Sequence, residues 1–173
     1  YGTEVTINAN ANTGYHLNSL KNGSTNIANG ITLTATSTIS ISCSFIINTY
    51  TINITQPASN GTITVTSAGE HHTSNFTVTH GTTITITATP NTGYNFNSLL
   101  VNGNSFTSGN SIVVTDNVTI SGFTSANSYL VTITQPANGT ISAVYNNITH
   151  TSNFYAEYGS TVRVSISANT GYH

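Results

Sequence analysis

Four acids, six histidines and one cysteine are the side chains of this 173-residue sequence best suited to acid–base, metal or nucleophilic chemistry. The acids are Glu4, Glu70, Asp116 and Glu157, and the only bases besides histidine are Lys21 and Arg163. A hydrolase needs paired carboxylates, a nucleophile with a positioned base, or a metal. The acids are scattered singly, and Asp116-Asn117 reads as a turn, where an aspartate bonds its own backbone. His71 and His72 are neighbours, but adjacent strand residues face opposite sides and cannot easily share one ion. His72 and His150 recur in the motif His-Thr-Ser-Asn-Phe, which points to a structural role. Calcium would need several carboxylates per site. A Lys–Asn isopeptide bond would use Lys21 with Glu4, yet Leu100 and Thr83 stand at the repeated positions. The expectation is a non-enzymatic chain with no catalytic residues, no metal and no cofactor. Cys43, alone, is expected to be a small buried side chain on a strand.

The elements that carry these residues are repeated. Gly2–Tyr15 reads GTEVTINANANTGY, Gly81–Tyr94 reads GTTITITATPNTGY and Gly159–Tyr172 reads GSTVRVSISANTGY, at spacings of 79 and 78 residues. Tyr50-TINITQPASNGT and Tyr129-LVTITQPANGT repeat at 79. Matches at one period define a tandem array. Residues 1–49 are then the C-terminal half of a repeat, 50–128 a complete repeat and 129–173 the N-terminal half of a further one. Residues 158–173 align without gaps on 1–16. We expect an excerpt or a processed piece of something longer.

Within the complete repeat, apolar residues alternate with Thr, Ser and Asn at period two, the mark of half-buried strands. Ile52 and Ile54, Ile63 and Val65, Phe76 and Val78, Ile84 to Ala88, Tyr94 and Phe96, Ile112 and Val114, and Val118 and Ile120 give seven strands. A bulge is expected at Leu99 to Val101, where the alternation slips. Pro57 and Pro136 end strands because proline lacks the ladder donor. Asn60-Gly61, Asn138-Gly139, Asn22-Gly23 and Asn102-Gly103 signal hairpins. The fold class is all-β: tandem small antiparallel β-sandwich or rolled-sheet domains of about 78 residues arranged end to end. Units this small gain stability from contact with their neighbours.

Composition excludes several partners. Charged residues make up 3% of the chain, against about 25% in ordinary soluble domains. No basic cluster exists to neutralise phosphates, which excludes nucleic acid. No apolar run approaches the roughly 18 residues of a spanning helix. Seven sequons, at Asn22, Asn53, Asn60, Asn75, Asn117, Asn138 and Asn147, are what chance yields in so Asn-, Ser- and Thr-rich a chain. The Thr- and Ser-rich faces could still carry O-glycans.

The ordered pattern Tyr50-x-Ile-x-Ile-Thr-Gln-Pro-Ala, Gly81-Thr-x-Ile-x-Ile-x-Ala with Asn91-Thr-Gly-Tyr, Leu99-x-Val-Asn-Gly and Asp116-Asn-Val-Thr-Ile-Ser resembles the divergent InlB B-type repeat of bacterial surface proteins. The resemblance runs through both flanking halves. It departs at Leu99, near which the family often has Trp. Members typically stand in tandem in secreted or wall-attached proteins, which implies an extracellular or cell-surface location and a stalk, fibre or filament. The expected partners are copies of the chain itself or neighbouring repeats, with Val5, Ile7, Val131, Ile133, Val162, Val164 and Ile166 as assembly candidates. Charge on edge strands normally blocks sheet-to-sheet association, and here it is nearly absent. The alternative is an adhesin module binding surface glycans, with Tyr145, Tyr155 and Tyr158 as the ligand-facing aromatics.

Overall fold

A computed structural model describes residues 2–173. Among them there is no helix, and the alternating segments form strands. In chain order these are β1 (Thr3–Ile7), β2 (Tyr15–Asn22), β3 (Thr25–Asn26), β4 (Ile31–Ala35) and β5 (Ile41–Ile47) in the first unit. The central unit holds β6 (Thr49–Thr55), β7 (Gly61–Ser67), β8 (Glu70–His72), β9 (Phe76–Thr79), β10 (Thr83–Pro90), β11 (Tyr94–Val101), β12 (Asn104–Ser105), β13 (Ser111–Val113) and β14 (Val118–Ala126). The last unit holds β15 (Ser128–Val131), β16 (Gly139–Tyr145), β17 (Ile148–His150), β18 (Phe154–Glu157) and β19 (Arg163–Ala168).

The central unit is a sandwich of a four-stranded sheet, β13-β10-β7-β8, and a five-stranded sheet, β12-β11-β14-β6-β9. Ile63, Val65, Ile84 and Ile86 of one sheet and Ile52 and Ile120 of the other are fully buried in one core with Val114. Each such side chain contributes about 1.5–3 kcal/mol on leaving water. The intervening Thr residues face outward, as period two requires.

Four details differ from the sequence reading. The unit has nine strands rather than seven, because the short β8 and β12 carry no apolar alternation to announce them. The bulge falls between Phe96 and Ser98, before Leu99, and recurs between Leu17 and Ser19. There Gly122 approaches so closely that a Cβ on it would lie 2.8 Å from the Ser98 carbonyl oxygen. One pairing is parallel rather than antiparallel: β14 runs beside β6, with Val118 opposite Ile52 and Ile120 opposite Ile54. The last strand of a repeat thus returns to close against its first. Finally, Cys43 is exposed, not buried. It stands on β5 where Gly122 is buried in the central unit, and the first unit has no counterpart of β7, the strand that meets β14 there.

The repeated motifs are backbone clasps. After β6 ends, the amide of Gln56 donates to the Ile63 and Thr73 carbonyls at 2.7 and 2.8 Å and accepts from the Ile63 N–H at 2.7 Å. Gln135 makes the same three bonds with Ile141 and Thr151. In His-Thr-Ser-Asn-Phe, the His72 ring stacks on Phe76 at 3.7 Å and His150 on Phe154 at 4.0 Å. The Asn oxygen of the same motif accepts a backbone N–H, Asn75 from Ile54 and Asn153 from Ile133. Replacing Gln56 with Ala leaves three backbone groups unpaired, two of them on Ile63, whose side chain is fully buried. The expected cost is about 2–4 kcal/mol, visible as a lower urea midpoint for the central unit; Gln56→Glu, which retains the acceptor but not the donor, should recover part of it.

The flanking units are halves of the same design. Strands β1–β4 and β3-β2-β5 reproduce the second half of the central unit. Strands β15–β18 and β17-β16-β19 reproduce the first half. Each half has strands of both sheets but only part of each, so its core is small or incomplete.

Candidate functional site

The geometry that recurs outside the sheets lies at the joins between units. One residue, Asn48, separates β5 from β6, and one, Asn127, separates β14 from β15. The Asn48 N–H donates to the Gly14 carbonyl at 2.8 Å, and the Asn48 carbonyl accepts from the His80 N–H at 2.8 Å. At the second join the Asn127 N–H donates to Gly93 and its carbonyl accepts from Tyr158, both at 2.8 Å. Each linker residue is therefore held by the Gly-Tyr turn of the unit before it and by the strand end of the unit after it.

A ring seals each join. A Cβ on Gly14 would lie 2.1 Å from the His80 ring, and one on Gly93 would lie 2.2 Å from the Tyr158 ring. Both glycines also have positive φ, +82° and +81°, which L side chains adopt only at a cost. Glycine is thus required twice over, for the turn and for the ring above it. Tyr158 also meets Tyr94 edge-on, with centroids 5.9 Å apart and planes at 75°. His80 lies 6.0 Å from Tyr50. The joins differ in one side-chain bond: His16 Nδ1 sits 2.6 Å from Asn48 Oδ1, whereas Asn127 Oδ1 is buried without a partner beside the unit that has Asn95 in that place.

Sequence reasoning did not single out Asn48, Asn127, Gly14 or Gly93 as joining residues. The signal was present, an Asn and a Gly each recurring at 79, but two asparagines do not stand out in a chain so rich in them.

The assembly candidates lie on the half-units. Val5 is 40% exposed, Val164 62% and Ile166 80%. Ile7, Val131, Ile133 and Val162 are half-buried, and the last three pack against the small core of Ala143, Phe154 and Ala156. The tyrosine candidates do not share one face. Tyr145 is half-buried against that core and stacks on Phe154 at 5.9 Å, Tyr155 is exposed on β18, and Tyr158 belongs to the second join. Among the described residues no three His, Cys, Asp or Glu side chains gather as a metal-binding group, and no helix is long and apolar enough to cross a membrane.

No curated protein and no solved structure matches the chain. A family model, the divergent InlB B-repeat domain, matches residues 1–49 and matches again at 50–126. The second match spans the closed sandwich and the first the half-unit before it, so by sequence and by repeated architecture the chain belongs to the divergent InlB B-repeat family.

Proposed function

We propose that this chain is a section of an extracellular stalk, fibre or surface filament, a non-catalytic rod whose β-sandwich repeats are fixed end to end. Its partners are neighbouring repeats or copies of itself. The observation that carries this reading is the shared backbone geometry of the two joins: the same pair of 2.8 Å backbone bonds, the same one-residue Asn linker and an aromatic ring over glycine, His80 at one and Tyr158 at the other. A flexible string of domains needs none of these. Linkers that allow free motion are longer and rich in Gly and Ser, and loosely associated domains move relative to one another unless their interface holds them. The family's place in bacterial surface proteins and the scarcity of charge support an extracellular setting. The adhesin alternative draws less support, since its three aromatics are distributed over two sheets and a join.

Small-angle scattering tests the rod. The wild-type chain is expected to scatter as one elongated rigid particle. Asn127→Pro removes the N–H that holds Gly93 and is expected to broaden the distance distribution while leaving β-sheet circular dichroism unchanged. A wild-type chain that scatters as a flexible string, or an N127P chain that stays as rigid, overturns the reading.

A further inference from the structure

We propose that the cleft beside the bulge of the central unit is a binding site for a single neutral pyranose ring of a glycan, held between phenylalanine rings and a rim of Asn and Ser. The site goes beyond the rod reading and stands whether or not the units are fixed in line.

The cleft is bounded by Ala88 of β10, by the bulged stretch 96–99 of β11 and by residues 105–108, so it draws on both sheets of the sandwich. Bulges re-aim side chains and are over-represented beside binding and active sites. The cleft measures about 260 Å³. Pockets for drug-sized ligands run from roughly 300 to 1,000 Å³, which limits the occupant here to about one ring.

Its walls are fixed before anything binds. The Phe96 ring is seated over two glycines, since a Cβ on Gly61 would lie 2.7 Å from it and one on Gly122 3.1 Å. The facing wall is tied to both sheets. The Phe106 N–H donates to the Leu99 carbonyl and the Gly109 N–H to the Ile86 carbonyl, both at 2.8 Å. Ser108 Oγ accepts the Ala88 N–H at 2.8 Å and donates back to the Ala88 carbonyl at 3.3 Å. A ligand entering so rigid a site has little protein to order, which favours binding.

The frame recurs in the first unit with other side chains. The bulge falls between Leu17 and Ser19. The Ile27 N–H donates to the Leu20 carbonyl at 2.9 Å and the Gly30 N–H to the Ile7 carbonyl at 2.8 Å. Asn29 does for Ala9 what Ser108 does for Ala88, at 2.8 and 2.9 Å. A cleft lies there too, but Leu17 and Ile27 stand in place of Phe96 and Phe106, and Lys21 enters the lining. The bonds that hold the cleft open are kept while the side chains that would meet a ligand change.

The lining of the central cleft selects its occupant. None of its residues is charged, so a phosphate or carboxylate would lose its hydration with no countercharge in return. An apolar group would suit the rings but leave the Asn97 amide and the Ser98 and Ser105 hydroxyls without partners. A pyranose meets both demands. Its C–H groups pack on aromatic carbon, and its hydroxyls donate and accept as the rim requires. Ser125 Oγ donates to Asn97 Oδ1 at 2.7 Å, which fixes the amide and leaves its NH2 to donate to a sugar oxygen.

The test is an NMR titration of the full, nitrogen-15-labelled chain with glucose, galactose, mannose and N-acetylglucosamine, and with cyclohexanol as a ring bearing a single hydroxyl. At least one sugar is expected to shift the amide signals of Asn97, Ser98, Ser105 and Ser108 saturably, and to bind more tightly than cyclohexanol. Thr62 and Thr64, on the outer face of β7, should not respond. Phe106→Ile, which installs the residue of the first unit, and Asn97→Ala are each expected to raise the dissociation constant about three- to tenfold, with β-sheet circular dichroism unchanged. Phe123→Ala, which removes a ring 68% exposed on the outer face of β14, should bind as wild type does. The proposal is overturned if no sugar moves the cleft amides, if cyclohexanol binds as tightly as every sugar, or if binding survives F106I and N97A but is lost in F123A. None of the lining residues bonds across a join, so failure of the site leaves the scattering of the rod unchanged and the two readings fail separately.

Discussion

Ile86→Ala is expected to unfold the central repeat under conditions where the rest of the chain's behaviour is unchanged. Ile86 lies mid-strand on β10, is fully buried, and faces Val65 across the ladder. Truncation removes buried methyl and methylene groups and leaves a cavity that the rigid ladders on both sides prevent from collapsing, at a cost of about 2–5 kcal/mol. Marginal stability for a domain is about 5–15 kcal/mol, so the loss is a large share of the whole. Val164 holds the same repeat position in the last unit but is 62% exposed, beyond the reach of the short β15–β18 sheet that covers its ladder partner Ala143. Val164→Ala should therefore stay within about 0.5 kcal/mol in the monomer. Urea unfolding followed by tyrosine fluorescence compares the two, and similar losses at both positions would mean that the open half is covered in solution. The contrast places the stability of the chain in the closing of two sheets over one another rather than in any strand alone.

The inward face of each strand was legible because alternation needs only residue type: Ile52, Ile63, Ile84 and Ile120 are buried as their period-two pattern requires. The all-β tandem fold and its family followed from the same repeats. Three things were not legible, each for a physical reason. The parallel return of β14 beside β6 leaves no local trace, since a strand's alternation is the same in either direction. Gln56 and Asn75 are polar residues whose work is to pair backbone groups far along the chain, and their type says only that they can donate or accept. Cys43, expected to be buried as a small side chain on a strand, is exposed because the strand that meets this position in a complete repeat has no counterpart in the first unit. The joins escaped notice because what matters in them is a carbonyl and an N–H, which every residue has, and a glycine whose reason for being small is a ring from the next unit.

That last dependence gives the second large effect. Gly93→Ala is expected to loosen the join between the central and last units as well as to strain the turn. The backbone at Gly93 has φ +81°, and a left-handed conformation costs an L residue about 1–2 kcal/mol. The added methyl would also sit 2.2 Å from the Tyr158 ring, far inside contact distance, so the ring must leave its place over the turn, with a further cost of about 1–3 kcal/mol for overpacking. Gly171 separates the two terms, because it has φ +86° with nothing within 4 Å of where a Cβ would stand. Gly171→Ala therefore carries the backbone strain alone. Adding Tyr158→Ala to G93A removes the clash, so the double variant should be less destabilised than the sum of the singles, a non-additivity read from a double-mutant cycle in urea. Scattering should follow the same order, with G93A flexible at the join and G171A as rigid as wild type. If G93A and G171A behave alike in both measurements, the ring over Gly93 contributes nothing to holding the units in line, and the rigidity of the rod must come from the two backbone bonds to Asn127 alone.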